Sequence, residues 1–158
     1  MMGPVPLAEL EALYRSEYRR FLRVATAILR DETRGVDAVQ EAFASALRRQ
    51  RQFRGEGPLE AWVWRMVVNA ALKERGRPRH TELADSEVAA SLAEEPTPVA
   101  EAIARLPERQ RLALFLRYYA DLDYESIATA LQVSSGTVGA TLNAAHTSLR
   151  RLLQEVRP

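Results

Sequence analysis

The stretch DLDYESIATALQVSSGTVGATL, residues 121–142, decides what kind of fold the second half of this chain adopts. It predicts a short helix, a tight turn filled by Val133, and a second helix capped by Ser134 or Ser135. A serine hydroxyl suits that position because it accepts a hydrogen bond from the free amide groups at a helix start. Two short helices joined by such a turn are typical of the helix-turn-helix motif. The apolar face of the first helix consists of Ile127, Ala128 and Leu131.

The flanking sequence extends this helical module in both directions. Upstream, Pro107 is suited to a first helical turn, after which the chain predicts an inward face. That face consists of Leu112, Phe115, Leu116 and Tyr119. Downstream, apolar residues recur at alternating steps of four and three, which indicates one long amphipathic helix. They are Val138, Leu142, Ala145, Leu149, Leu152 and Val156.

The first half of the chain shows the same helical period and no sustained alternation typical of a strand. A polar break at 31–35 separates the first two predicted helices, and the turn 53–58 precedes the third. The three apolar faces are Leu10, Tyr14, Tyr18, Phe21, Ala25 and Ile28; Val36, Val39, Phe43, Ala46 and Leu47; and Leu59, Trp62, Val63, Met66, Val67 and Ala70. The sequence therefore predicts an all-α fold.

Charge divides the 158 residues into three parts. Residues 1–80 hold 15 Lys and Arg against 10 Asp and Glu, residues 81–101 hold six acids and no base, and residues 102–158 hold seven bases against five acids. The prolines of EEPTP, residues 94–98, stop any helix there. We therefore expect a helical domain at 1–76, a flexible acidic linker at 77–98 with a short helix near 83–92, and a helix-turn-helix domain at 99–158.

Several classes of function find no support in the sequence. There is no Cys, and His80 and His146 lie far apart, so no metal site is expected. No nucleophile–base pair or phosphate-cradling loop indicates an enzyme or a cofactor. The start MMGPVPLAEL lacks the features of a signal peptide, and no apolar run approaches the roughly 18 residues of a membrane span. We expect a cytoplasmic protein without membrane insertion.

Five short motifs, taken in order, resemble one protein family. VQEAF, FRGEG and AW fall in the first half, and LPERQR and YESIA fall in the second. Together they resemble regions 2 and 4 of bacterial RNA polymerase sigma factors of the sigma-70 family, within the extracytoplasmic-function (ECF) group. The resemblance runs from Leu10 to Leu153. It implies a region 2-like bundle of three to four helices and a region 4-like helix-turn-helix, acting with core RNA polymerase on promoter DNA.

The resemblance implies two sites in the first module. Polymerase docking falls on Asp37, Val39, Gln40, Glu41 and Phe43, where exposed acids and amides would meet a basic partner. Binding of the melted minus-ten element falls on Arg48, Arg49, Arg51, Arg54, Trp64, Arg65, Asn69 and Lys73, because cations contact phosphates and aromatic faces stack on unpaired bases. Since Trp62 lies on the apolar stripe, we expect Trp62 in the core and Trp64 partly exposed.

The second helix of the helix-turn-helix departs from the resemblance. Relatives commonly carry several Lys and Arg there, whereas this chain has no cation before Arg150. Gly139 lies in the helix interior, and Gln132 stands where the family usually has Gly. Phosphate contacts and guanine readout usually come from cations, so we expect weak or unusual binding of the minus-thirty-five element. The residues that remain to bind this DNA element are Ser134, Ser135, Thr137, Thr141, Asn143 and Arg150.

Three interpretations remain open. In the first, the chain is a working ECF-type sigma factor with a weakened or divergent region 4; an anti-sigma factor is an expected partner. Alternatively, the chain is a sigma-like protein that acts by titration or mimicry without initiating transcription, or a regulator that shares only the helix-turn-helix. The docking and melting residues are largely present, which favours the first interpretation.

Overall fold

The computed structural model describes residues 5–78 and 97–156. Within those ranges the regular structure consists of seven α-helices with short 3₁₀ and π turns and no strand, which confirms the all-α prediction. None of these helices is long and apolar enough to cross a membrane. Most of the expected acidic linker, including its short helix near 83–92, lies outside the described residues.

The first module is a bundle of three helices. They are α1 (Leu7–Leu29), α2 (Glu32–Arg48) and α3 (Leu59–Arg75), with a 3₁₀ turn at Gln50–Gln52. Each helix packs against the other two. An aromatic cluster fills the centre, where the Phe21 ring lies 5.4 Å from Phe43 and 4.5 Å from Trp64 between centroids. Such close ring pairs stabilise a core beyond the apolar area that they bury.

The corner between α1 and α2 is tighter than the sequence predicted. The break at 31–35 shrinks to Arg30, with a left-handed φ of 55°, and Asp31, whose carboxylate accepts a hydrogen bond from the Arg34 amide at 3.0 Å. Gly35 lies inside α2, where a Cβ atom would approach the Thr26 Oγ1 atom to 2.7 Å. Glycine permits this close crossing of the two helices, so the residue that suggested a break serves packing instead.

The second module consists of four helices. They are α4 (Pro98–Ala104), α5 (Glu108–Leu114), α6 (Tyr124–Leu131) and α7 (Ser135–Val156), with a π turn at Phe115–Tyr119 after α5. In that turn the Ala120 amide donates to the Phe115 carbonyl at 3.2 Å. The added residue shifts the helical register, and Tyr119 is 37% exposed, stacked on Phe115, rather than inward as expected.

The helix-turn-helix consists of α6, the turn 132–134 and α7. The Asp123 carboxylate caps α6 by accepting from the Ser126 amide at 2.8 Å. Gln132 ends α6 in the left-handed conformation, with φ 59°. The Ser134 hydroxyl accepts from the Thr137 amide at 3.1 Å, so Ser134, and not Ser135, caps α7. The inward face of α7 begins as predicted, with Val138, Leu142 and Ala145 buried.

The two modules lie against each other, a contact that the sequence did not predict. Helix α6 packs on α3, and the π turn packs on α1. The Arg75 guanidinium pairs with the Glu108 carboxylate across the junction. The buried apolar side chains of both modules form one continuous cluster, so α3 is covered from two sides.

Candidate nucleic-acid interface

The expected docking residues fall into two groups on α2. Asp37, Gln40 and Glu41 are exposed, as a contact surface requires. Val39 is fully buried and Phe43 is 8% exposed, because both point into the bundle centre. Val39 and Phe43 therefore offer no contact surface in this arrangement, and the exposed members of the predicted docking set are Asp37, Gln40 and Glu41. The two buried residues hold α2 on the core while the polar face of the same helix points outward.

A cationic turn follows the docking face directly. We use this name for Arg48, Arg49, Arg51 and Arg54, all of which are exposed. Arg48 pairs with Glu41 at 3.0 Å, an exposed ion pair that contributes little to stability. The other three arginines form no ion pair with any side chain in residues 5–78 or 97–156. Their charge is available for a phosphate backbone.

The two tryptophans of α3 take the opposite places from those expected. Trp64 is fully buried against Phe21, and its indole Nε1 donates to the Glu60 carboxylate at 3.3 Å. Trp62 is half-buried and lies against Phe53, with 5.4 Å between ring centroids. Because α3 packs on α1 and α2 and also on α6, its buried face is wider than one apolar stripe. Trp64 cannot stack on a base here, whereas Trp62 lies beside the loop 53–58.

One exposed stripe remains on α3, formed by Arg65, Asn69 and Lys73 at steps of four. The second module lies beside two of these residues, Arg65 and Asn69. With the Gln132 amide turned so that its oxygen faces the guanidinium, that oxygen accepts from Arg65 Nε at 2.9 Å and from Nη2 at 3.2 Å. Asn69 lines a cleft of about 160 Å³ together with Thr137 of α7. The structure therefore brings two of the predicted minus-ten residues, Arg65 and Asn69, to predicted duplex-reading residues, which no sequence pattern indicated.

The residues expected to read duplex DNA are only partly free. Ser134 and Thr137 bond to each other through their hydroxyls at 2.9 Å, within the cap of α7. Thr141 is half-buried in the cleft that contains Asn69. Ser135, Asn143 and Arg150 are exposed.

Sequence reasoning missed the contact role of Gln132. The available signal was its departure from the Gly usual at the end of the first motif helix. The sequence also gave no indication of the Arg75–Glu108 pair.

Comparison with known proteins identifies both modules. Residues 13–80 match the family described as Sigma-70 region 2, and residues 97–154 match Sigma-70, region 4. The chain is 32% identical over 161 residues to the RNA polymerase sigma-H factor of Pseudomonas aeruginosa, covering 85% of this chain and 81% of that protein. It is 32% identical over 149 residues to the ECF RNA polymerase sigma factor SigM of Mycobacterium tuberculosis, covering 90% and 76%.

A solved structure shares the fold. The sigma factor RpoE of Bartonella quintana, in complex with the anti-sigma factor NepR, superimposes with a TM-score of 0.69 at 21% identity, covering 96% of this chain and all of that one. The match to region 2 excludes a regulator that shares only the helix-turn-helix, and nothing in these comparisons supports titration or mimicry. This chain belongs to the extracytoplasmic-function group of the sigma-70 family of RNA polymerase sigma factors.

Proposed function

We propose that the chain docks on core RNA polymerase through the exposed face of α2 and binds the melted minus-ten strand next to it. As a sigma factor, it directs promoter recognition in transcription initiation. The observation that carries the proposal is the adjacency of two exposed surfaces on one rigid bundle. Asp37, Gln40 and Glu41 form the first surface. The cationic turn forms the second, and it begins at Arg48, about two helical turns after Glu41. A docked polymerase would thus hold the cations beside its DNA channel.

The proposed DNA contacts divide by chemistry. Arg49, Arg51 and Arg54 supply phosphate contacts that are independent of base sequence. Asn69 can pair with a base edge, and Trp62 offers an aromatic face beside the loop. In α7, hydroxyl and amide groups replace the usual cations, so its contribution to binding at the minus-thirty-five element is small. The chain acts by binding and not by catalysis, and its work on promoter DNA places it in the cytoplasm.

We also propose that an anti-sigma factor controls this chain. The support is the shared fold with RpoE of Bartonella quintana, which was solved in complex with the anti-sigma factor NepR. Such a partner would compete with core polymerase for the sigma factor.

Run-off transcription with purified core polymerase and a promoter library tests the proposal. We expect defined transcripts with the parent chain. Replacing both Asp37 and Glu41 by Lys should weaken polymerase binding by more than about 30-fold, because like charges then face a basic partner. Both side chains are exposed, so the fold should remain intact.

The matched control replaces Glu101 and Glu155 by Lys, which changes net charge equally at exposed positions of the other module. The control should bind polymerase like the parent. Equal affinity of the two double variants for polymerase would refute the docking assignment.

A further inference from the structure

A cavity at the junction of the two modules is lined by arginines and lies outside the surfaces proposed for polymerase and DNA. It measures about 520 Å³ and forms where the ends of α1 and α3 and the start of α2 meet α4, α5 and the π turn. Sites for small ligands usually measure about 300–1,000 Å³, so this cavity has the size of a ligand site. The arginines that line it are Arg30, Arg34, Arg75, Arg77 and Arg111.

The charge around the cavity is strongly positive. Two carboxylates, Glu74 and Glu108, pair with three of the five arginines. Five arginines against these two carboxylates leave an excess of three positive charges. Arg30 forms no ion pair with another side chain in the part of the chain that the structure describes. An excess of cations around a concave surface favours an anionic ligand.

Two of the arginines are held in place by backbone carbonyl groups. Arg34, whose side chain is 12% exposed, donates to the Arg77 carbonyl at 3.2 Å. Arg111 donates through Nη1 to the Ala104 and Leu106 carbonyls at 3.2 and 3.0 Å. Nη1 of Arg34 and Nη2 of Arg111 contact no acceptor among the described residues. A guanidinium fixed in this way keeps N–H groups for a ligand and loses little conformational freedom on binding it.

The cavity also has an aromatic wall. Phe115 and Tyr119 of the π turn stack on each other, with 5.4 Å between ring centroids and 9° between ring planes. Phe115 covers one face of the Tyr119 ring, and Tyr119 remains 37% exposed. Both rings line the same cavity as the arginines. Single π turns are frequent at functional sites, and an aromatic ring beside cations suits a ligand that joins a planar base to phosphate groups.

We infer that this cavity binds a nucleotide with two or more phosphate groups. The arginines contact the phosphates, because the planar guanidinium donates two parallel hydrogen bonds to a phosphate group. The base lies against the ring of Tyr119. Three excess positive charges balance a nucleoside diphosphate, which carries a charge of about −3 near pH 7. The residues proposed for docking and for DNA take no part, so this inference does not rest on the proposed function.

Titration calorimetry of the intact chain tests the inference, with ADP, GDP and pyrophosphate as probes. Pyrophosphate carries the phosphate groups without a base. Arg30→Gln combined with Arg77→Gln should weaken binding of all three probes by about tenfold or more, because two charged hydrogen-bond donors are lost. Both side chains are exposed, so the fold should remain intact.

The matched control is Arg15→Gln combined with Arg23→Gln, at exposed positions of α1. In each double variant, one arginine forms an exposed ion pair with a nearby glutamate and the other forms none among the described side chains. The control should bind the probes like the parent. Equal losses in the two double variants would mean attraction to net charge alone and would overturn the site.

Tyr119→Ala separates the contribution of the base from that of the phosphates. It should weaken binding of ADP or GDP about fivefold or more and leave pyrophosphate binding unchanged. The control is Tyr118→Ala, because Tyr118 is 60% exposed and does not line the cavity. This variant should bind all probes like the parent.

Two results with the parent chain would overturn the inference directly. Nucleotides that bind no more tightly than pyrophosphate would refute the contact between a base and Tyr119. A chain that binds none of the probes with a Kd below about 1 mM would refute the site itself. These titrations contain no polymerase and no promoter DNA, so a failure of run-off transcription refutes the proposed function and leaves them standing.

Discussion

Helices α3 and α7 are the two for which we propose DNA contacts, and they are built in opposite ways. Helix α3 exposes Arg65 and Lys73 and follows a turn rich in arginine, whereas α7 has no cation before Arg150. Helix α3 is buried on two sides and α7 mainly on one. Phosphate attraction supplies most of the affinity of non-specific DNA binding. The difference therefore predicts that the first module carries most of the DNA affinity and that α7 contributes weak readout.

The largest expected effect concerns the buried aromatic side of α3. Trp64→Ala should lower the free energy of unfolding by about 3–5 kcal/mol, because it removes the fully buried partner of Phe21. Trp62→Ala, at a half-buried site, should lower the free energy of unfolding by clearly less. It should, however, weaken binding of single-stranded DNA. Urea denaturation and DNA titration of both variants measure these quantities. A stable Trp64→Ala chain with reduced DNA affinity would restore Trp64 as the stacking residue.

Adding cations to α7 should remove part of its difference from α3. Gly139→Lys fits, because a Cβ atom there would lie 3.6 Å from the Tyr124 ring, an ordinary contact. Asn143 is exposed, unlike Thr141, so Asn143→Arg is the better second change. Together they should raise duplex affinity about tenfold and steepen its salt slope by about two units.

The control for added charge is Ala12→Lys with Ser16→Arg, at exposed positions of α1. This control pair should leave the salt slope of duplex binding closer to the parent value than the α7 pair does. Gly139→Lys also removes a glycine from a helix interior, so melting temperatures must accompany the titrations. Equal slopes for the two pairs would show that α7 does not face the duplex.

The smallest expected effect concerns the cap of α6. Hydrogen bonding from Ser126 lowers the pKa of the Asp123 carboxyl below its ordinary value. The charged cap therefore stabilises the fold fully above the ordinary Asp pKa of about 3.9, and this contribution is lost as pH falls through the lowered pKa. Asp123→Ala should lower the free energy of unfolding by about 1 kcal/mol at pH 7.

The pH dependence supplies the check on this assignment. The stability difference between the parent and Asp123→Ala should shrink in acid, as followed by denaturation at several pH values. A difference of constant size down to pH 2 would mean that lost packing, and not the charged cap, causes the effect.

Local signals in the sequence predicted the helices. Tertiary contacts decided the features that the sequence left open. The apolar steps in α1 and α7 gave their inward faces, and Ser134 was among the two expected caps. In α2 they gave Val39, Phe43 and Ala46 correctly, but Leu47 is exposed. The places of Trp62 and Trp64 could not follow from one stripe, because α6 covers a second side of α3. Gln132 was visible as a departure from glycine, but its partner Arg65 is 67 positions away in the chain. No local pattern encodes such a contact.

The salt dependence of single-strand binding by the intact chain tests the central claim most directly. Changing Arg49, Arg51 and Arg54 to Ala should reduce the slope of log affinity against log salt by about two units, since each phosphate contact contributes about 0.7. Changing Arg15, Arg19 and Arg23, exposed on α1, alters net charge equally and should reduce the slope far less. Equal reductions for the two triple variants would contradict the assignment of DNA affinity to the cationic turn.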